Sequence, residues 1–400
     1  MSKWILAVIV VLLAAGCQQG STFSQQQQDA QHRWADARAG VMLRVAENRL
    51  AAGELDDAHK AAKQAISLDP GCQEAKTILG RVLIEKGRYT EAAAELDRLS
   101  RLRPRDAQVI YYLGVAQEKA GRLEEALETY RRAYTMDEDD VAPIKAAAEV
   151  LVALGRPRPA LHQVESYLPK APDDLGMYEL AGRLALMCGE YEKAAEYLQR
   201  LRDMDYRNLR YAELLARAQY GAGRMAQLSE NLSELLDRED YQAPVWVYMM
   251  RGDSLMAQSK PKEAFHAFFS ASERKPSRPE VWLALSRAAL AMNDAPRAIG
   301  SAQRALGLTP GDMSAQLLLG MGLLKDRQPA RAVLVLTEAS KSHPRSATVQ
   351  CLLGRAHEAM GQKARAVQCY SAALRIEPSN ELARELLRSA SSGEGLSRAQ

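Results

Sequence analysis

Four hundred residues exceed one ordinary core and suggest two or three domains. Hydrophobic residues at 47% and charged residues at 26% are the proportions of a folded soluble protein, which excludes wholesale disorder. Lys+Arg at 53 against Asp+Glu at 50 leaves a net charge of +3, which argues against a dedicated nucleic-acid binder, and five Cys do not make a disulfide scaffold. Few Phe and Trp beside recurrent Ala and Leu lean the chain to helix.

The chain opens on one positive charge, Lys3, and then an apolar run from Trp4 to Ala15. Twelve residues are too few to cross a hydrocarbon core of ~30 Å, which takes ~20, but they match the core of a signal peptide. The run closes on Leu13-Ala14-Ala15-Gly16-Cys17. This resembles bacterial lipoprotein signals, in which small residues precede a Cys that receives a diacylglyceryl group. Cleavage then leaves that Cys as the new N-terminus, usually acylated again, for example with palmitate. That family favours Leu three residues before the Cys; here Ala14 stands there, with Leu13 one step earlier. The resemblance implies residues 1–16 as a signal peptide and Cys17 as the lipidated residue. Two or three acyl chains hold a protein stably on a membrane, whereas one binds only marginally. The alternative is an uncleaved anchor helix ending near Gly16. In lipoproteins of two-membrane bacteria an Asp directly after the Cys marks inner-membrane retention. Gln18 stands there in this chain, so the resemblance implies the outer membrane, on its periplasmic side. Residues 18–29, QQGSTFSQQQQD, have no apolar face and read as a polar tether, so that 17–38 hold the lipidated Cys, the tether and the start of the first helix.

Beyond the tether, prolines set a period. Pro70 and Pro104 lie 34 apart, Pro172 follows at a multiple of 34, and Pro276, Pro310, Pro344 and Pro378 recur every 34. Glu138, Tyr206 and Asp240 fill the empty steps, with two extra residues before Pro276. Twenty-four residues before each step stand Ala46, Gly80, Gly114, Ala148, Gly182, Ala216, Gly252, Ser286, Gly320 and Gly354, all small. Seventeen before stand Gly53, Gly87, Gly121, Gly155, Gly189, Gly223, Ser259, Asn293, Arg327 and Gly361. Twelve before, Ala recurs from Ala58 to Ala366, broken only by Leu228. The stretch before the glycine turn has helical spacing, as in Val109, Tyr112, Leu113 and Ala116. Gly or Asn then ends that helix through the left-handed conformation, a second amphipathic helix follows, and proline closes it. Small columns on both helices let the two backbones approach, and each hairpin leaves apolar surface that its neighbour must cover.

These columns resemble the tetratricopeptide repeat family over most of the chain, best in Ala107–Asp140 and Ala347–Asn380, where Leu113-Gly114, Gly121, Ala126 and Tyr130 match Leu353-Gly354, Gly361, Ala366 and Tyr370. Trp282 fills an aromatic slot early in a first helix. The resemblance implies an all-α, right-handed superhelical solenoid of ten hairpins: repeats 1–6 over 39–244, repeats 7–10 over 245–380, a capping helix over 381–390 and a frayed tail over 391–400. Leu209–Pro244 departs from the pattern, and two readings stand, a hinge or a longer loop, the loop being favoured because surface loops tolerate insertion.

No chemistry is legible. The six His show no metal-ligand spacing, and neither HExxH nor GxxxxGK[ST] occurs. Gly252-Asp253-Ser254 lacks the second glycine of a nucleophile elbow, since Met256 replaces it, and it falls inside a predicted helix. Arg251-Gly252-Asp253 is an accidental match to an integrin tripeptide, and Asn231-Leu232-Ser233 is a weak sequon. By the register Cys351 faces inward and Cys369 outward, which disfavours a disulfide. Together with Cys72 and Cys188 they read as buried or half-buried free thiols. We expect no catalytic residue, metal or cofactor, and no enzyme.

In the family, first helices line a concave face through which solenoids bind. The lining positions carry Arg81, Arg183, Arg217, Arg287 and Arg355, with Glu47, Glu149 and Asp253 between them. Around these fall Tyr111, Val115, Tyr220, Trp246, Met249, Met256, Leu283, Leu290, Leu317, Met321 and Leu324. Arg holds a carboxylate through paired hydrogen bonds, and flat or soft side chains accept apolar groups. For the arginines taken singly two readings stand level, ligand binding or solvation and pairing with neighbouring acids. For the apolar cluster from Tyr220 to Leu324 the reading is a ligand surface, with closure by superhelical packing or self-association as the alternative. The expectation is an outer-membrane-anchored periplasmic scaffold that takes an extended peptide or helix of other proteins in this groove and does not bind nucleic acid. Family resemblance suggests assembly of a pilus, a secretion channel or an exopolysaccharide machine; the alternative is a carbohydrate- or peptidoglycan-associated binding protein.

Overall fold

The structure, a computed structural model, describes residues 2–392, with side chains from 26 to 391. The side chain of Cys17 and most of the expected tail, residues 393–400, lie outside the described residues. Among the described residues every regular element is a helix. No described helix is long and apolar enough to cross a membrane. The chain divides into two compact units, residues 1–188 and 189–400. That boundary falls in the turn of the fifth repeat, well before the irregular repeat at Leu209–Pro244.

Unit 1 holds α1 (Ser2–Ala51), α2 (Leu55–Leu68), α3 (Gln73–Glu85), α4 (Tyr89–Leu102), α5 (Ala107–Lys119), α6 (Leu123–Met136), α7 (Ala142–Ala153), α8 (Pro157–Tyr167) and α9 (Leu175–Cys188). A single 3-10 turn, Leu168–Lys170, follows α8. Unit 2 holds α10 (Tyr191–Met204), α11 (Leu209–Gly221), α12 (Met225–Leu236), α13 (Val245–Ala257), α14 (Pro261–Arg274), α15 (Pro279–Ala291), α16 (Ala295–Leu308), α17 (Met313–Lys325), α18 (Pro329–Ser342), α19 (Ala347–Ala359), α20 (Lys363–Ile376) and α21 (Glu381–Ser392). Within each unit, consecutive helices pair as antiparallel hairpins, and each hairpin packs on the next. The segment 18–29, expected as a tether, falls inside α1 instead. Gln, which makes up half of this segment, is a good helix former, and no proline precedes Pro70 to interrupt it.

The turn column behaves as its residues dictate. Gly53, Gly87, Gly121, Gly155, Gly189, Gly223 and Gly361 all have φ between 71 and 80°, and Ser259, Asn293 and Arg327 adopt φ of 58, 63 and 56°. At the third hairpin the Arg122 N–H donates to the Gln117 carbonyl and the Gly121 N–H to the Glu118 carbonyl, both at 2.9 Å. Two orphan carbonyls of α5 are thereby satisfied, and the chain is aimed back along it. At the other end, proline follows the last residue of the second helix by two positions at Pro70, Pro104, Pro276, Pro310, Pro344 and Pro378. Each residue before it is non-helical, as steric clash with the proline ring requires.

Inside a hairpin, small residues on the first helix face large ones on the second. A Cβ added to Gly114 would lie 2.7 Å from the Tyr130 ring, one on Gly80 2.7 Å from Leu96, one on Gly252 2.3 Å from Phe268 and one on Gly354 2.4 Å from Tyr370. The alanine column is closed as well, with Ala58, Ala92, Ala126, Ala264, Ala298, Ala332 and Ala366 all at 0% exposure. At Ser286 the two small columns touch directly, its hydroxyl donating to the Ala298 carbonyl at 2.9 Å. Between hairpins the core is continuous. Leu83 of α3, Leu96 and Leu99 of α4, and Val109 and Leu113 of α5 form one cluster. Cys351 is buried, and Cys72, Cys188 and Cys369 are half-buried, all four as free thiols.

The irregular repeat carries a longer loop. Four residues, 103–106, connect α4 to α5, whereas eight, 237–244, connect α12 to α13. The added length is tied down. Arg238 grips Asp240 through two hydrogen bonds of 3.1 Å and donates to the Arg207 carbonyl at 3.3 Å. The Tyr241 hydroxyl donates to Glu213 at 2.7 Å. Leu228, which breaks the alanine column, is itself fully buried.

Gly114→Leu should overpack the Tyr130 contact and cost ~1–3 kcal/mol in chemical unfolding, whereas Val115→Leu one position on should be tolerated. Melting that is equal for both variants would refute the register. At the turn, a non-glycine residue in the left-handed region costs ~1–2 kcal/mol, part of which is returned by the lower chain entropy of the unfolded state. Arg327→Gly should therefore raise stability by about 0.5–1 kcal/mol, read as a higher melting temperature.

Candidate functional site

The candidate site is the face formed by the first helices, and each unit carries its own portion. In unit 1 a pocket of about 490 Å³ opens between α1, α3 and α5, lined among others by Glu47, Leu50, Arg81, Ile84, Tyr112 and Val115. Arg81 is half-buried, its guanidinium 5.0 Å from the centre of the Tyr112 ring. Tyr111, the predicted lining residue, turns partly inward. Its ring lies 5.5 Å from Tyr112 and 5.7 Å from Tyr130, and burial pushes its hydroxyl pKa up. Tyr112 therefore takes the place assigned to Tyr111 in the pocket. The sequence signal was present, because Tyr112 lies thirty-one residues after Arg81 and so meets it from the next hairpin. Arg183 is exposed on α9.

In unit 2 the predicted residues assemble in two groups. The exposed Arg217 of α11 holds its guanidinium 5.1 Å from the centre of the Trp246 ring on α13. Trp246 is half-buried and packs on the cluster of Ala212, Ala216, Leu232 and Val247. It therefore supports the hairpin while offering one surface to Arg217. Beside this pair, the Tyr220 hydroxyl lies 3.5 Å from Asp253, and the exposed Arg287 acts electrostatically on both. Burial pushes the Asp253 carboxyl up, opposed by the Arg287 charge and by the Tyr220 hydroxyl. The Asp253 charge in turn raises the Tyr220 hydroxyl.

The apolar half of the prediction needs correction. Leu290 is 9% exposed and packs with Ala289, Ala298 and Leu318 inside the stack, so it is core and not groove lining. Met249, Met256 and Leu283 are half-buried on the cluster around Trp282 and Leu285, and Leu317 and Leu324 on the cluster around Leu319 and Leu336. Of the predicted apolar residues, Tyr220 at 38% and Met321 at 42% remain large exposed surfaces. The physical reason is the tight stack: a leucine one position off the core stripe still covers its neighbour. Arg355 is exposed on α19, and among the described residues no interaction joins it or Met321 to the Arg217 group.

Sequence reading missed Arg251. Other repeats place Leu79, Leu113, Ala147, Leu215, Leu285, Leu319 and Leu353 at its position. Its Nε is buried without a hydrogen-bond partner. Among the described residues no group of three or more His, Cys, Asp or Glu is arranged to hold a metal.

Left-handed turns, a glycine facing a large partner, and a charged first-helix face define a helical-repeat scaffold. Tetratricopeptide repeat profiles match residues 43–100, 79–141, 249–312 and 317–381, and a second profile of the same description matches 118–184. The chain belongs to the tetratricopeptide repeat family and is a scaffold for protein–protein interaction. Among curated proteins it is 25% identical over 357 residues to the cellulose synthase 2 operon protein C of Komagataeibacter xylinus, covering 82% of this chain and 27% of that protein. It is 26% identical over 131 residues to anaphase-promoting complex subunit 3 of Schizosaccharomyces pombe, covering 33% of this chain and 20% of that one. The chain thus spans about a quarter or less of these relatives. Among solved structures, the Cut9–Hcn1 hetero-tetramer of the anaphase-promoting complex aligns over 86% of this chain and 74% of that one, at 15% identity and a TM-score of 0.41.

The Asp253 shift makes a pH prediction. A carboxyl whose folded pKa lies above its unfolded value, near 3.8, favours folding below that value and loses the advantage as pH rises through the folded one. Asp253→Asn removes the penalty of a desolvated charge. Its melting temperature should therefore gain on the parent as pH rises above the unfolded value. A gap that does not change with pH would mean that folding leaves the Asp253 pKa where it is in the unfolded chain.

Proposed function

We propose that the protein is an outer-membrane lipoprotein, anchored through Cys17 on the periplasmic side, whose first-helix face binds an acidic segment of a protein partner. The observation that carries the binding half is the exposed pair Arg217 and Arg287, Arg217 set over the Trp246 ring and Arg287 acting on Tyr220 and Asp253. A guanidinium over an aromatic face is held in place without being neutralised, so its hydrogen bonds stay available to a carboxylate. Each such charge-assisted bond is worth ~1.5–3 kcal/mol once desolvated. The anchoring half rests on the short apolar run that ends at Gly16-Cys17. The work we assign to the scaffold is assembly of an envelope machine. Among pilus, secretion and exopolysaccharide systems, likeness to a cellulose synthase operon protein supports the last.

The test is affinity capture from envelope extracts with full-length protein, followed by binding of the captured partner to variants. Arg217→Ala with Arg287→Ala should weaken binding at least ~10-fold and flatten its salt dependence, because the steering charges are gone. Cys17→Ser should leave binding intact and move the protein out of the outer-membrane fraction. Unchanged fractionation would remove the lipid anchor from the proposal, and unchanged salt dependence would remove the arginine face.

A further inference from the structure

We propose that unit 2 carries a second binding site, on its second-helix side, that takes an aromatic side chain from an acidic peptide segment. A pocket of about 430 Å³ opens between α14 and α16 and is floored by α15. Trp282 and Leu285 form the floor, at 8% and 1% exposure, and Phe265 and Phe269 form one wall. Arg297 and Arg304 form the other.

The repeat does not explain this wall. Phe268 already fills the slot opposite Gly252 and is 1% exposed, so the hairpin has its large residue. Phe269, next in sequence, is 47% exposed and adds nothing to that seam. A large aromatic ring left in water beside a pocket is surface available to a partner. The floor is fixed, because the Trp282 indole N–H donates to the Pro276 carbonyl at 2.7 Å.

Charge selects the occupant. The Arg304 guanidinium lies 4.5 Å from the Trp282 ring centre and the Arg297 guanidinium 5.4 Å from that of Phe265. α16 carries these two cations and no acidic side chain. Asp294 pairs with Arg297 at 3.1 Å, whereas Arg304 has no acidic partner among the described residues. Two cations placed over aromatic faces at the mouth of an apolar pocket complement carboxylates flanking an apolar anchor. A sugar fits less well. Apart from the arginines, only His266 and Ser301 bring polar side chains to the lining, too few to satisfy a ring of hydroxyls. This site shares no residue with the Arg217 and Arg287 face, and it stands whether or not that face binds a partner.

The probe is a fluorescein-labelled synthetic decapeptide with one central Trp flanked by Asp and Glu, titrated with full-length protein and read by fluorescence anisotropy. The acidic Trp peptide should saturate. Exchange of its Trp for Ala, or of its acids for Lys, should weaken binding at least ~10-fold. Phe269→Ala and Arg304→Gln should each do the same, with helicity unchanged by circular dichroism because both side chains are exposed. Arg217→Ala should leave the titration unaltered. If Phe269→Ala lost helicity, Arg304→Gln alone would still decide the matter. The proposal is overturned by absence of saturation with the parent protein, by binding that both pocket variants leave intact, or by loss on Arg217→Ala instead. It is equally overturned if cellohexaose saturates the protein and loses that binding in Phe269→Ala.

Discussion

Five of the hairpins depend on one contact, a large side chain of the second helix seated where the first helix has no side chain. Glycine in mid-helix costs roughly 0.5–1 kcal/mol relative to alanine. Full burial of the Leu, Phe or Tyr that enters the vacated space contributes roughly 1.5–3 kcal/mol, so the exchange favours the packed hairpin. Leu96, Tyr130, Phe268, Leu336 and Tyr370 each sit in such a space, opposite Gly80, Gly114, Gly252, Gly320 and Gly354. In the third and tenth hairpins the fit also satisfies the polar end of the ring. The Tyr130 hydroxyl donates to Glu118 at 2.8 Å and that of Tyr370 to Glu358 at 2.9 Å. Burial, joined by that carboxylate, holds both phenols well above the ordinary range, so they remain neutral donors.

With the hairpin angle set, the rest is repetition. Each added hairpin repeats the same faces thirty-four residues on, so positions of one column stand side by side. That is how Tyr220, Asp253 and Arg287, far apart in sequence, act on one another in unit 2. A scaffold of this kind needs no moving part to recognise a partner, because its side chains are already placed by packing. The departures from the repeat are then the informative positions. Arg251 in a leucine column and Phe269 beside an occupied core slot are not required by the stack. The long loop at 237–244 is required least of all, yet it is pinned by Arg238 and Tyr241.

The fold was legible because its constraints are local and recur. A left-handed turn asks for Gly or Asn whatever surrounds it, and the structure keeps that conformation even at Ser259 and Arg327, where the sequence offers neither. The site was legible only in its polar half. Burying an arginine without partners is costly, so column position was enough to place Arg217, Arg287 and Arg355 on the surface. An apolar residue has no such restriction, and Leu290, assigned to the same face, went into the core instead.

By itself the sequence determined the helix pairs, their turns, their register and the columns that face outward. These follow from backbone sterics and from the thirty-four-residue period. Only the tertiary structure decided which side chains within a face meet. Trp246 lies under Arg217, and Trp282 floors a pocket between α14 and α16. Those meetings depend on how far each hairpin rotates on the next. That rotation is fixed by the volumes packed between hairpins, a sum over many residues that no single column displays.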